Sequence, residues 1–382
     1  MNHKIMFLMM FSTIALAGCD SADDETSSGQ AGRVRVTISG EDIATEGIQF
    51  PTGSEVTIVD GWELELSHVL VTVGNVTLSD NPDLAPSDQS RTGSVLARVD
   101  GPWAVDLSVP GTVAAAGGEG LAIPLAEIEQ LASGDPLASD QRYAFGYDLL
   151  PASADAKVVN FAGDDEASAA YAEMIEAGAS VMYVGRAHFR GQDCAAQDDA
   201  YNFEQLPETV PFRLAFRTPT SFINCQNQDN QGEAFPDEEY QRGIAVSENA
   251  DSLAQITLHL EHVLFGATVH DPSLRFDQLA AQLVGRPEGS VVTLDDLIGL
   301  DPTAFTDGSG AALPARSCDG SELPPGKQLR FETGSVPVDP GASARQALRD
   351  YYDFIAYVQS TQGHLNGGEG ICFVERHYAA PP

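Results

Sequence analysis

Runs of alternating apolar and polar residues recur along this chain, each cut off by Gly, Pro, Asn or Asp. Side chains on a strand point to opposite faces in turn, so a period-two pattern marks half-buried strands. Val34-Arg35-Val36-Thr37-Ile38 is one such run and Val56-Thr57-Ile58-Val59 another. Trp62 to Leu78 is a long run that must bend near Gly74. Trp103 to Val109, Tyr143 to Leu149, Val181 to Phe189, Pro211 to Arg217 and Ile256 to Phe265 complete the set. The Gly, Pro, Asn and Asp clusters between them are turn punctuation.

Helical spacing is scarcer. Asp165 to Ala177 is rich in alanine and glutamate and stops at Gly178, which suits a helix C-terminus. Leu274, Phe276, Leu279, Ala280 and Leu283 form an apolar stripe after Asp271-Pro272-Ser273. Ser343-Ala344-Arg345-Gln346 has the form of a capping box. It opens a helix whose Ala344, Leu348, Tyr351, Ile355 and Val358 share one face. The fold class that follows is α+β: a predominantly antiparallel, β-sandwich-like core with a helical C-terminal segment. Residues 32–271 form the β-rich domain, and residues 272–382 form a helical segment packed on it.

The first residues set the compartment. Lys4 precedes an apolar stretch from Ile5 to Leu16, the layout of a secretory signal peptide over residues 1–18. It ends Leu16-Ala17-Gly18-Cys19, which resembles the lipobox of bacterial lipoproteins. That resemblance covers about twenty residues and implies that Cys19 is acylated on its sulfur and becomes the first mature residue. It also implies a lipid-anchored protein of the cell envelope, facing periplasm or cell surface. Residues 19–31, with Asp23, Asp24 and Glu25, are acidic and polar and read as a flexible tether.

Beyond Cys19 stand four cysteines, Cys194, Cys225, Cys318 and Cys372. An even count in an exported chain reads as two disulfides, and pairing of sequence neighbours gives Cys194–Cys225 and Cys318–Cys372. No C-x-x-C is present to signal a zinc ribbon or a redox motif. The chain carries 56 Asp plus Glu against 20 Lys plus Arg, a net charge of −36. Such a surface repels nucleic acid, attracts cations and keeps a protein hydrated in a salty medium.

One motif occurs twice. Leu64-Glu65-Leu66-Ser67-His68-Val69-Leu70 and Leu258-His259-Leu260-Glu261-His262-Val263-Leu264 share the frame L-x-L-x-H-V-L. Read as strands, both copies place the histidine on the apolar face, which predicts two equivalent strands with His68 and His262 adjacent. Imidazole is the commonest ligand for zinc and copper, and carboxylates complete such sites. His68, His259, His262, Asp271 and His364 are the expected ligands, with Glu261, His270 and Glu369 nearby in sequence. Strand alternation turns His259 and Glu261 away from His262, so Asp271 and His364 rank above Glu261 as completing ligands, and His259 stays in the set if the strand is bulged there. A single buried histidine is more often a packed side chain than a ligand.

Gly289 to Leu297 resembles the back half of an EF-hand loop, but the front positions lack the hard oxygens that calcium needs, so the segment reads as scaffold. No G-x-S-x-G, H-E-x-x-H, Walker loop or G-x-G-x-x-G is found. The functional expectation is a non-enzymatic, lipid-anchored envelope protein that binds zinc or copper and serves a metal uptake or export partner. The alternative is a structural or interaction lipoprotein without a ligand.

Overall fold

The computed structural model describes residues 32–51, 56–118, 120–139, 141–248, 250–268, 272–333, 348–367 and 370–377. The signal peptide, Cys19, the acidic tether, His270, Asp271, Ser343-Gln346 and Glu369 lie outside the described residues. Two large sheets form most of the molecule. The smaller contains β1 (Arg33–Ser39), β5 (Val113–Ala114), β6 (Leu121–Ile128), β14 (Asp251–Leu258) and β17 (Gly363–Leu365), in the order β17-β14-β1-β6-β5. The larger is built on β2 (Trp62–Ser79), β7 (Arg142–Leu149), β9 (Val181–Phe189), β11 (Thr209–Phe216), β12 (Thr220–Ile223), β15 (Val292–Thr293) and β18 (Phe373–Arg376). Four short strands join it: β3 (Val95–Val99), β4 (Trp103–Asp106), β8 (Lys157–Val158) and β13 (Ile244–Ala245). A separate pair is made by β10 (Ala195–Ala196) and β16 (Arg316–Ser317).

Most pairings are antiparallel, as the short turn signals required, but β1 pairs with β14 in parallel. Val34, Val36 and Ile38 of β1, Ala254 and Ile256 of β14, and Val69, Val71, Phe145 and Tyr183 of the larger sheet enter one core. That shared core makes the arrangement sandwich-like.

Helix α1 (Glu41–Glu46) follows β1, α2 (Asp165–Ala177) covers the outer face of β2 and β9, α3 (Asp277–Ala280) is one turn, and α4 (Tyr351–Gln359) lies near the C-terminus. The sequence-predicted bounds of α2 hold because Asp164 accepts from the backbone N–H of Glu166 and Ala167, and Gly178 closes the helix at φ 66°. α4 starts later than the sequence pattern suggested: Asp350 caps it through the N–H of Asp353, and Leu348 precedes it. In the calcium-loop-like segment, Asp296 accepts from the N–H and the hydroxyl of Thr293, a capping box that occupies it structurally.

The disulfides are Cys194–Cys318 and Cys225–Cys372, not the sequence-neighbour pairs. Sheet pairing is the reason. Ala195 lies opposite Ser317, so the residues just beyond, Cys194 and Cys318, face one another. Ile223 of β12 lies opposite Phe373 of β18, which brings Cys225 beside Cys372. Both bridges are those of an oxidising, extracytoplasmic compartment. Among the described residues no helix is long and apolar enough to cross a membrane.

A buried ionic network fixes the C-terminal half to the start of β2. Arg316 donates two hydrogen bonds to Asp277, which also accepts from the indole N–H of Trp62 at 2.8 Å. Burial, reinforced by the neighbouring Asp277 carboxylate, pushes the Asp60 carboxyl up to about 7.

Candidate metal centre

The two L-x-L-x-H-V-L copies are not equivalent. In the first, Leu66 sits opposite Gly185 and His68 opposite Val184, so β2 spends two residues where β9 spends one. Ser67 is the extra residue of a β-bulge, and a one-residue slip exchanges the faces of everything after it. Leu64 therefore joins the main core, whereas Leu70 joins the layer under α2. His68 shares the face of Leu70, where its Nδ1 lies 2.7 Å from Oδ2 of the fully buried Asp106. That carboxylate also accepts from the backbone N–H of Val69 and from Ser108. His68 is thus absorbed in a structural pair and is not part of the cluster that contains His262.

The second copy leaves the strand altogether. β14 ends at Leu258, and Leu260–Leu264 is a 3-10 turn with His259 at its N-terminal boundary. Leu260, Val263 and Leu264 are all buried, an i, i+3, i+4 set that the strand frame concealed. In a 3-10 helix residues three apart eclipse, so His259 and His262 come to the same side. The expectation that strand alternation would separate them is corrected on this ground.

His364 arrives from a third segment. β1 and β14 are parallel, with Ser39 opposite Thr257, so both strands end at one edge of the sheet. β17 runs antiparallel to β14, with His364 opposite Thr257, and begins at that same edge. The backbone N–H of His259 donates to the carbonyl of Gln362 at 2.9 Å, fastening the turn to the approach of β17. Three chain segments therefore deliver Glu41, His259 with His262, and His364 to one place.

One nitrogen from each of His259, His262 and His364 lies within 4.8 Å of those of the other two, close enough for the three to hold a metal ion. His364 is buried and the other two are half-buried. Ring centroids of His259 and His364 are 4.2 Å apart at 16° to one another, while His262 stands at 85° and 86° to them. An ion must lie in the plane of each imidazole that ligates it, so stacked rings cannot both bind one ion. Loading both requires one of them to turn about its Cβ–Cγ bond.

His262 is already set for a ligand role. Thr361 donates its hydroxyl proton to the carbonyl of Val358 at 2.7 Å, so its oxygen accepts from His262 Nδ1–H at 2.8 Å. That tautomer leaves the lone pair on Nε2. Metal-bound histidines typically donate their second N–H in this way.

Two carboxylates flank His259. Glu41 Oε1 is 3.7 Å from its Nε2 and Glu261 Oε1 is 3.6 Å from its Nδ1. Burial pushes the Tyr183 phenol up and the Glu261 carboxylate adds to that shift; the Glu261 side chain is itself 16% exposed. Sequence reasoning did not single out Glu41 or Thr361. No local signal marks Glu41 in so acidic a chain; only the parallel pairing of β1 with β14 brings it here.

Of the other histidines, His188 contacts Thr209 and Glu65 on the sheet surface, and His377 contacts Ser221, as ordinary surface residues do. Comparison with protein-family models, with curated proteins and with solved structures finds no match.

Proposed function

We propose that this protein binds one divalent transition-metal ion, zinc or copper, at His259, His262 and His364. The observation that carries this reading is the convergence of three imidazoles from two distant segments, one with its tautomer fixed by Thr361. All four cysteines among the described residues are in disulfides, so the donors are nitrogen and oxygen, a set that suits Zn(II) or Cu(II) better than Cu(I). The role is carriage or storage of the ion, in keeping with a sequence that carries no G-x-S-x-G, H-E-x-x-H or Walker motif. The lipobox-like signal ending at Cys19 and the oxidised cysteines support a lipid-anchored protein of a bacterial envelope. There it would exchange its ion with an envelope transport partner, and its negative charge speaks against nucleic acid.

The test is metal content of the oxidised mature chain, by elemental mass spectrometry after dialysis against buffered zinc or copper. One ion per chain is expected, with none in a His259→Ala, His262→Ala, His364→Ala triple variant. Bound ion also raises the melting temperature of the wild type alone, since a ligand held only by the folded state stabilises it. Equal metal content in both proteins would leave the ligand-free, structural reading.

A further inference from the structure

The two carboxylates beside His259 approach it from opposite sides, and that asymmetry separates their roles. An imidazole offers an ion one nitrogen only, and the other nitrogen then carries a proton. Glu41 stands on the Nε2 side at 3.7 Å and Glu261 on the Nδ1 side at 3.6 Å. His262 uses the same division, with Nδ1–H given to Thr361 and Nε2 left as the acceptor.

Glu41 is placed there by an uncommon backbone. Its φ is 56°, the left-handed region that side-chain-bearing residues enter only when their surroundings impose it. The hydroxyl of Ser39 accepts its N–H at 3.0 Å, holding the turn between β1 and α1. The side chain is only 11% exposed, whereas the neighbouring Asp42 and Glu46 on the same helix face solvent. Such strained positions cluster at ligand clamps, and the outlier here places a carboxylate beside His259.

We propose that Glu41 completes the coordination sphere as a fourth, oxygen ligand, and that Glu261 receives the Nδ1–H of His259 as a positioning residue. This rests on the reading of the triad as a metal site. Ligand atoms about a tetrahedral zinc ion at 2.0–2.1 Å are roughly 3.3 Å apart, so Glu41 must close on His259 Nε2 by a few tenths of an ångström and, with the ring rotation that loading requires, come within the same reach of the His262 and His364 nitrogens. The resulting set of three nitrogens and one carboxylate oxygen is of the zinc class.

The experiment titrates the oxidised chain with zinc by calorimetry and with cobalt(II) by visible absorption, which reports the coordination sphere. Glu41→Gln should lower zinc affinity by more than about 100-fold and change the cobalt spectrum. Glu261→Gln should lower it roughly 10–100-fold, the usual loss for an outer partner, with the cobalt spectrum kept. Glu41→Asn controls for the backbone, because asparagine tolerates the left-handed region without supplying a carboxylate. It should match Glu41→Gln, and it decides the matter if the glutamine variant fails to fold. Wild-type affinity and spectrum in the folded Glu41 variants, with binding lost in His262→Ala, would overturn the Glu41 assignment and leave the triad standing. A spectrum changed by Glu261→Gln and not by Glu41→Asn would overturn it in favour of the reverse roles. Undiminished binding in His262→Ala would remove the triad itself.

Discussion

Thr361 shows how much of a site can rest on a side chain that never meets the ligand. Its hydroxyl proton is committed to Val358, so its oxygen must accept from His262 Nδ1–H, which places the lone pair on Nε2. Thr361→Val preserves the shape and removes the acceptor. We expect zinc affinity to fall roughly 10–100-fold, with little change in thermal stability. Calorimetry on the two proteins checks it; unchanged affinity would mean that the tautomer is held by something else. This residue was not legible in the sequence, because a threonine after an amphipathic run carries no signal of its own. The histidines were legible in part: His259, His262 and His364 stood out as ligands by type and density, and the structure does gather them. His68 was misread with them because alternation fixes a face only while the strand stays regular, and Ser67 breaks it.

At the scale of elements, the same bulge explains why an L-x-L-x-H-V-L frame serves two different structures. The first copy stays a strand by extruding Ser67; the second abandons the strand at Leu258 and buries Leu260, Val263 and Leu264 from a 3-10 turn. Periodicity cannot separate the two, since Leu, His and Val occur at spacings compatible with both. The bulge depends on its partner strand. A Cβ at Gly185 of β9 would lie 2.2 Å from the carbonyl oxygen of Glu65 and 2.7 Å from the ring of Phe212. The first contact is with backbone that is itself fixed in the ladder, so it cannot be relieved by a side-chain rotation. Gly185→Ala should therefore destabilise the fold by roughly 2–3 kcal/mol, the upper part of the range for overpacking. Urea unfolding measures this, and a loss below about 0.5 kcal/mol would show that β2 and β9 slide apart freely.

Across the whole molecule, the sequence indicated strands and a sandwich-like class but not which strands are neighbours. β1 and β14 pair in parallel across more than half the chain, and nothing in either run announces the other. The disulfides follow from that long-range order, which is why pairing sequence neighbours failed. Each bridge spans a long separation, 124 residues for Cys194–Cys318 and 147 for Cys225–Cys372. In the chain-entropy account each is worth about 5 kcal/mol, so loss of either should lower stability to a similar extent. Their effects on the metal centre should differ. Cys372 adjoins Ile371, which bridges directly to His364, whereas Cys194 and Cys318 tie β10 to β16 beside Gly61 at the start of β2. Replacing Cys225 and Cys372 by serine frees the segment after β17 and lets His364 drift. We expect zinc affinity to fall in that variant and to remain near wild type when Cys194 and Cys318 are replaced. Both are measured below their melting temperatures, so that unfolding does not enter. Equal affinity losses in the two variants would show that His364 is held by β14 alone and that the bridge has only a global role.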